Sequence, residues 1–527
     1  MSVEPDLTAA ASAVGAAKAV VDAGFRHLAA NGDVETDQVV AYDLAHSAAA
    51  VENARVVLDY GAKGDVEARI ASAFVADAVY EVTGRLLGRE AEWGTEPGAL
   101  DPVLPFVRTF RAPAYLSALC GEQGSRHLDA ELVLVQDTFR RFAEDQIRPV
   151  AEEIHRDNKD IPERIIQGLA EIGTFGVSTP EQYGGFAASG EGEYLTMVVA
   201  TEELSRGSLG VGGSLITRPE ILTRALVKGG TEEQKHEWLP RLASGELMTA
   251  VAVTEPDFGS DSAAVKTAAS SDGEGWRING VKTWCTFAGR ADVLMLLART
   301  DPDRSKAHRG LSLFIVPKER RDGHDFDLTQ PEGGRMQGRA IDTIGYRGMH
   351  SYEVAFENWF VSAENLIGGD EGLGRGFYLQ MEGFENGRLQ TAARAVGVMQ
   401  AAYEAAYDYA ANRTVFAKPL LEYQLTRAKL ARMAVVIQAS RQFAYHVARL
   451  MAAKGEGAME AAMVKAYACQ AAEWVCREAM QIHGGMGYAE EFPVSRYYVD
   501  ARVLSIFEGA DEILALKVIA RRLVSGK

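Results

Sequence analysis

A change of hydrophobic period part-way along this chain limits what it can fold into. Between about residues 250 and 365, apolar side chains alternate or fill short runs: Ala250–Thr254, Val293–Ala298, Leu311–Val316 and Tyr352–Phe356. That is the pattern of half-buried and fully buried strands. On both sides the apolar residues recur three and four apart, which puts them on one face of a helix. Val39–Leu58 and Val66–Leu87 do so before the β segment; Met381–Ala411, Tyr423–Ala453, Glu456–Gln481 and Asp511–Leu523 do so after it. No proline occurs from residue 6 to 96, so long helices are permitted there. The expected class is α+β: a helical domain, a β domain and a C-terminal helical bundle, with an added N-terminal helical domain. Locally, Thr231 and Gln234 have the spacing of a capping box, and Trp276–Trp284 is expected to be a hairpin turning at Asn279-Gly280.

A chain of 527 residues is too long for one core and should split into several units. The expected boundaries are 1–125 for the extension and a proline-rich linker, 126–249 for the helical domain, 250–365 for the β domain and 366–527 for the C-terminal helices. The net charge of -18, with no long Lys/Arg run, argues against nucleic acid or an anionic membrane as partner. Four scattered cysteines fit a reducing compartment and show no metal-ligand spacing. The start of the chain lacks the basic and apolar parts of a signal peptide, and no apolar run is long enough to span a bilayer. A soluble cytoplasmic protein is expected.

Four segments carry chemistry. Val253–Asp261 (VTEPDFGSD) ends a strand in a turn whose amides and hydroxyls can face a ligand. Asn279–Thr286 (NGVKTWCT) places Trp284 and Thr286 close together, with Cys285 between them as a small apolar residue. Ile506–Ile513 (IFEGADEI) sets Glu508 at a break before a helix. Arg413-Thr-Val-Phe416 with Gln424, and Gln481–Tyr488 (QIHGGMGY), offer a guanidinium and close-approaching glycine backbone, which suit a diphosphate. Taken singly, each has a plain structural reading: a solvated turn, a core tryptophan, a helix-start glutamate, a surface arginine.

In this order, over about residues 130–525, the segments resemble the acyl-CoA dehydrogenase family. The resemblance implies FAD as cofactor. Thr254 and its neighbouring backbone would bind the flavin ring, Trp284 would pack on it, and the Thr286 hydroxyl would bond its N5 edge. Ser260 would lie near the cofactor and the CoA chain. Glu508 would be the base that takes the α-proton, since desolvation by flavin and ligand makes a carboxylate more basic. Its backbone N–H would polarise the thioester carbonyl, with Gly509 beside it on the substrate. Phe384 and Arg388 match positions that touch CoA. Gly387 occupies the alternative base position of a minority of the family and cannot do that chemistry. Arg413, Phe416, Gln424, Gln481, Gly484 and Gly485 would hold the diphosphate across a subunit interface, which implies a homotetramer or a dimer. His483 reads as structural. Electron-transferring flavoprotein is the implied acceptor. The chain departs from the family pattern at Phe507 for Tyr, Ala510 for Thr, Ala417 for Gly and Cys285 for Ile.

The long extension, with Ile216–Ile221 (ITRPEI) and Trp284–Gly289 (WCTFAG), is similar to the branch of this family that converts (2S)-methylsuccinyl-CoA to mesaconyl-CoA. Such a substrate has a second carboxylate, and burying it requires a cation or several donors. Arg218 is the expected partner; a surface salt bridge is its plainer role. Competing readings are another short-chain dehydrogenase, an acyl-CoA oxidase, a DNA-binding flavoprotein, which the acidic balance disfavours, and a scaffold without a base, which Glu508 disfavours.

Overall fold

The computed structural model describes residues 3–187, 191–454 and 457–526. The fold is α+β and forms two compact units: Met1–Leu134 with Thr391–Lys527, and Val135–Gln390. In the first unit, α1 (Leu7–Asn31) opens on Asp6, whose carboxylate caps the Ala9 amide at 2.8 Å. α2 (Gln38–Gly61) and α3 (Asp65–Leu86) follow, burying alanine and valine faces that allow close helix packing. Residues 93–125, expected to be a linker, are packed. Trp93 is fully buried, and α4 (Leu104–Phe110) and α5 (Pro113–Ala118) bring the rings of Phe106, Phe110 and Tyr115 to 4.7 and 5.0 Å of one another. Prolines lie in the first turn of both helices, where the missing N–H breaks no intrahelical bond.

The second unit begins with helices α6 (Ala130–Phe142), α7 (Arg148–Asp157), α8 (Glu163–Glu171), α9 (Glu191–Gly207), α10 (Thr217–Gly229) and α11 (Glu232–Ala243). The capping box forms as expected: Thr231 accepts from the Gln234 amide, and Gln234 accepts from the Thr231 amide at 3.0 Å. An eight-stranded sheet follows: β1 (Thr249–Ala252), β2 (Ala268–Ser271), β3 (Gly275–Thr286), β4 (Val293–Arg299), β5 (Leu311–Pro317), β6 (Asp325–Thr329), β7 (Arg335–Ile341) and β8 (Ser351–Ser362). Its order is β1-β4-β2-β3-β8-β7-β6, with β5 against β4. Every residue of β4 is buried, and one core joins Met295, Leu297 and Ile315 of the sheet to Leu222, Leu226 and Leu242 of α10 and α11.

The expected hairpin at Asn279-Gly280 is absent. β3 runs straight through these residues, paired with β2 on one side and β8 on the other. The Asn-Gly pair instead lies opposite a bulge on β8: from Ile278 to Gly280 β3 advances two residues while β8 advances three, from Trp359 to Phe356. Gly280 has φ +148°, and a Cβ there would lie 2.5 Å from Thr267 Oγ1. Asn279 exchanges hydrogen bonds with Asn358 on β8, donating to its side-chain oxygen at 3.1 Å and accepting from its amide at 2.9 Å. The same residues that make a tight turn at a chain reversal can therefore also sit inside a strand, opposite a partner strand that carries the extra residue.

α12 (Gly376–Asn412) contributes to both units. In the first unit it is followed by α13 (Gln424–Lys454), α14 (Ala458–His483) and α15 (Val494–Leu504). α16 (Asp511–Ile513) then continues through a π-helical stretch, Leu514–Ala520, into α17 (Arg521–Ser525). The N-terminal extension packs with these C-terminal helices. Tyr60 accepts from Gln438 at 2.8 Å, and Glu35 pairs with Lys517 and Arg521.

Gly280→Val should cost about 1–3 kcal/mol, from strain at positive φ and from the clash with Thr267. A lowered denaturation midpoint measures it; an unchanged midpoint would mean that the bulge relaxes freely.

Candidate active site

In the unit of residues 135–390, the turn after β1 and the end of β3 are tied together. Thr254 accepts from the Thr283 amide at 2.8 Å. Lys282, with no exposed surface, donates to the Val253 carbonyl and to Glu255, both at 2.9 Å. Glu255 also accepts from the amides of Lys266 and Thr267 at 2.7 and 2.8 Å. Burial raises the Glu255 carboxyl, but the Lys282 ammonium and these two amides outweigh it and hold it below the usual range. The pair is thus a charged clamp on the backbone of VTEPDFGSD.

A second register shift in β3, between Lys282 and Cys285, turns Trp284 outward. Trp284 has φ +57° and is 54 % exposed, while Cys285 beside it is fully buried. Bulges re-aim side chains in this way. Burial pushes the Cys285 thiol up to about 12, so it is not a nucleophile. Thr286 is buried with its hydroxyl 2.9 Å from that of Ser351. Thr254 is half-buried and Ser260 exposed. A large ring face, a placed hydroxyl and a backbone turn are what a flavin ring needs, so these residues fit the cofactor that the resemblance implies.

Arg218 lies in the first turn of α10 and is only 6 % exposed. One of its guanidinium nitrogens is 3.4 Å from the Tyr346 hydroxyl. Glu220, two residues on, accepts from Ser178, Arg224, Asn386 and Gln390, fixing α10 against α12. Phe384 packs against the core shared by α10 and the sheet, and Arg388 is half-buried. Arg206 pairs with Glu144, and Arg347 donates to the carbonyls of Thr343 and His155; both have structural tasks.

In the other unit, Glu508 sits in the turn between α15 and α16. It is half-buried with φ +54°, a conformation that costs an L-residue about 1–2 kcal/mol, and Gly509 follows at φ +97°. Several contacts hold this turn. The buried Lys465 donates to the Gly509 carbonyl, the Asp511 amide donates to Ser505 at 3.1 Å, and the Arg394 guanidinium lies 4.8 Å from the centre of the Phe507 ring. Asp511 accepts from Tyr42 at 2.5 Å and Gln470 at 2.9 Å, and pairs with His46 at 3.1 Å.

The diphosphate segments also belong to this unit. His483 stacks on Tyr409 with ring centres 4.2 Å apart and Nδ1 2.8 Å from the Ala479 carbonyl; burial lowers its basicity, as suits a structural histidine. The stack joins the end of α12, just before Arg413, to the end of α14, just before Gly484. Gly484 has φ +61°, and a Cβ on Gly484 or Gly485 would meet nothing within 4 Å. Arg413, Gln424 and Gln481 are exposed. An arginine beside open glycine backbone fits a diphosphate. Phe416, at the tip of the 414–419 hairpin, is 90 % exposed, and Ala417 has φ +68°, which explains why glycine is usual there.

Sequence reasoning missed the residues that support these sites. Lys282 and Glu255 stood inside quoted motifs, but nothing in a linear sequence pairs them. Lys465, Gln470, Tyr42 and His46 lie on helices whose spacing gives no sign of a common target.

Three domain signatures match the chain: Acyl-CoA dehydrogenase, N-terminal domain, over residues 129–246; middle domain, over 250–359; and C-terminal domain, over 374–524. The chain is 41 % identical over 514 residues to a (2S)-methylsuccinyl-CoA dehydrogenase from Cereibacter sphaeroides, covering 93 % of this chain and 91 % of that one. Among solved structures, butyryl-CoA dehydrogenase from Megasphaera elsdenii is 30 % identical with TM-score 0.69, covering 76 % of this chain and 99 % of its own. A glutaryl-coenzyme A dehydrogenase in complex with glutaryl-CoA is 31 % identical with TM-score 0.68, covering 76 % and 97 %. These two structures match nearly end to end while leaving about a quarter of this chain uncovered, whereas the likeness to the Cereibacter protein spans most of it.

Lys282→Met leaves Glu255 buried without its cation and should cost about 3–5 kcal/mol; adding Glu255→Gln should recover most of the loss. The pair's contribution is complete above the ordinary glutamate pKa of ~4.3 and is lost as pH falls through the depressed value. Acid unfolding followed by fluorescence checks this: the double variant should lose less stability on acidification than the parent.

Proposed function

The chain belongs to the acyl-CoA dehydrogenase family of FAD-dependent oxidoreductases, and from that premise we propose that it dehydrogenates (2S)-methylsuccinyl-CoA to mesaconyl-CoA. The observation that carries this reading is the burial of Arg218 at the start of α10. The second carboxylate of a dicarboxylic acyl group needs a cation when it is buried, and a guanidinium at this place suits it. The likeness to the Cereibacter protein, which includes the extension, supports the same substrate.

In this reading the Glu508 carboxylate takes the α-proton of the thioester. Its backbone N–H donates to the thioester carbonyl and stabilises the charge that develops there. Gly509 beside it gives the substrate a close approach to the backbone. Bound FAD supplies the acceptor for the hydride leaving the β-carbon. Trp284 covers the flavin ring, Thr286 donates towards it, and Thr254 and Ser260 line it from the turn after β1. Phe384 and Arg388 hold CoA. Arg413, Gln424, Gln481, Gly484 and Gly485 hold the diphosphate.

The exposed Phe416, with Tyr488 at 84 % and Leu425 at 70 % exposure, supports burial of these segments against a second copy of the chain, hence a homodimer or homotetramer. Electron-transferring flavoprotein is the proposed acceptor. Among the described residues no helix is long and apolar enough to cross a membrane, and we place the protein in the cytoplasm.

The test is anaerobic bleaching of the flavin's visible absorbance by a panel of acyl-CoAs. Fast bleaching by (2S)-methylsuccinyl-CoA, slow bleaching by butyryl-CoA, and loss of both in Glu508→Gln are expected. Bleaching by monocarboxylic acyl-CoAs alone would overturn the substrate. Arg218→Ala should slow the dicarboxylic substrate at least ~30-fold more than butyryl-CoA, corresponding to about 2 kcal/mol for a lost buried charge contact. A uniform loss would remove Arg218 from the carboxylate.

A further inference from the structure

The turn that carries Glu508 is held by the N-terminal extension. Oδ2 of Asp511, three residues beyond Glu508, is met by Tyr42 Oη at 2.5 Å, His46 Nε2 at 3.1 Å and Gln470 Nε2 at 2.9 Å. Tyr42 and His46 belong to α2, with ring centres 4.4 Å apart; Gln470 belongs to α14. His46 and Asp511 are both buried. Burial raises the Asp511 carboxyl, but the bonds from His46, Tyr42 and Gln470 outweigh it and hold it below the usual range. It therefore accepts these bonds as a carboxylate, and charge-assisted bonds are about twice as strong as neutral ones.

Asp511 is the first residue of α16, and its amide closes the turn onto Ser505. Glu508 lies inside that closed turn at positive φ, a conformation that persists only where its surroundings impose it. A second contact from the extension grips the same helical run further along: Glu35 accepts from Lys517 at 2.5 Å and from Arg521 at 2.9 Å. The extension thus holds this run both at its first residue and two to three turns later.

We infer that Tyr42 and His46 are positioning residues for the base, setting the Glu508 turn through the Asp511 carboxylate. This rests on the reading of Glu508 as the base. It gives the extension a task in the reaction itself: it sets where the carboxylate sits, and so the rate of proton removal, with no effect on how tightly CoA is held.

The test uses full-length protein loaded with FAD and measures single-turnover flavin reduction, KM and flavin content in Tyr42→Phe, His46→Leu, His46→Gln and Glu508→Gln. His46→Leu and Tyr42→Phe should slow flavin reduction about 10- to 100-fold, the scale of a misplaced reacting group. KM and flavin content should be unchanged. His46→Gln, which keeps a side-chain donor, should recover most of the rate. Amide hydrogen exchange at residues 508–513 should speed up in the two slow variants and return towards the parent in His46→Gln. Parental rates in Tyr42→Phe and His46→Leu, or losses that only follow lost flavin, would overturn the inference. Tyr42→Phe, which removes a single oxygen, decides the matter if the His46 variants fail to accumulate. Glu508→Gln separates the two readings: full activity there overturns the base itself, whereas an inactive Glu508→Gln beside fast Tyr42→Phe and His46→Leu overturns only the role of the extension.

Discussion

A glutamate at positive φ is held only where something else imposes the conformation, and much of the helical unit is arranged to do so. Lys465 fixes the carbonyl of the next residue, Ser505 closes the turn onto the Asp511 amide, and three side chains from two helices meet the Asp511 carboxylate. None of these groups needs to touch a substrate. Their common effect is to take freedom from a backbone that would otherwise relax to an extended or helical form, so that the turn keeps one shape.

The β domain uses the same device with different parts. Lys282 and Glu255 bury opposite charges where neither faces solvent, and their remaining bonds go to backbone: the Val253 carbonyl and the amides of Lys266 and Thr267. The clamp fixes the turn after β1 against β3, while the bulge one residue further along aims Trp284 outward. A buried pair adds little net stability compared with well-packed apolar residues, but it is costly to break and geometrically demanding. That suits a loop that must hold one shape.

Much of the architecture was legible along the chain. The change from helical to alternating spacing near residue 250 marks the sheet, and the helices from Gly376, Gln424, Ala458 and Asp511 lie within a few residues of where the sequence puts them, whereas Val494–Leu504 was not recognised. Short polar strands such as Asp325–Thr329, at the sheet edge, and Arg335–Ile341 beside it were not recognised, because few apolar residues mark their alternation. Asn279-Gly280 misled for a physical reason: the positive φ open to Gly280 serves a chain reversal or a site opposite a bulge, and only pairing on both sides of β3 distinguishes the two. The proline-rich 93–125 segment resembled a linker because proline marks both loops and helix starts.

The sequence by itself determined the family and the order of its domains and offered the candidate site residues, because motif spacing and hydrophobic period are local properties of the chain. It could not show that Arg218 is buried, that Lys282 closes on Glu255, or that residues 42 and 46 meet residue 511. Those contacts join positions up to hundreds of residues apart, and each is decided by which helix and strand faces pack together. Tertiary structure alone decided that the extension reaches the Glu508 turn, since the helical pattern of α2 records only that one face is apolar and is silent on which surface it covers.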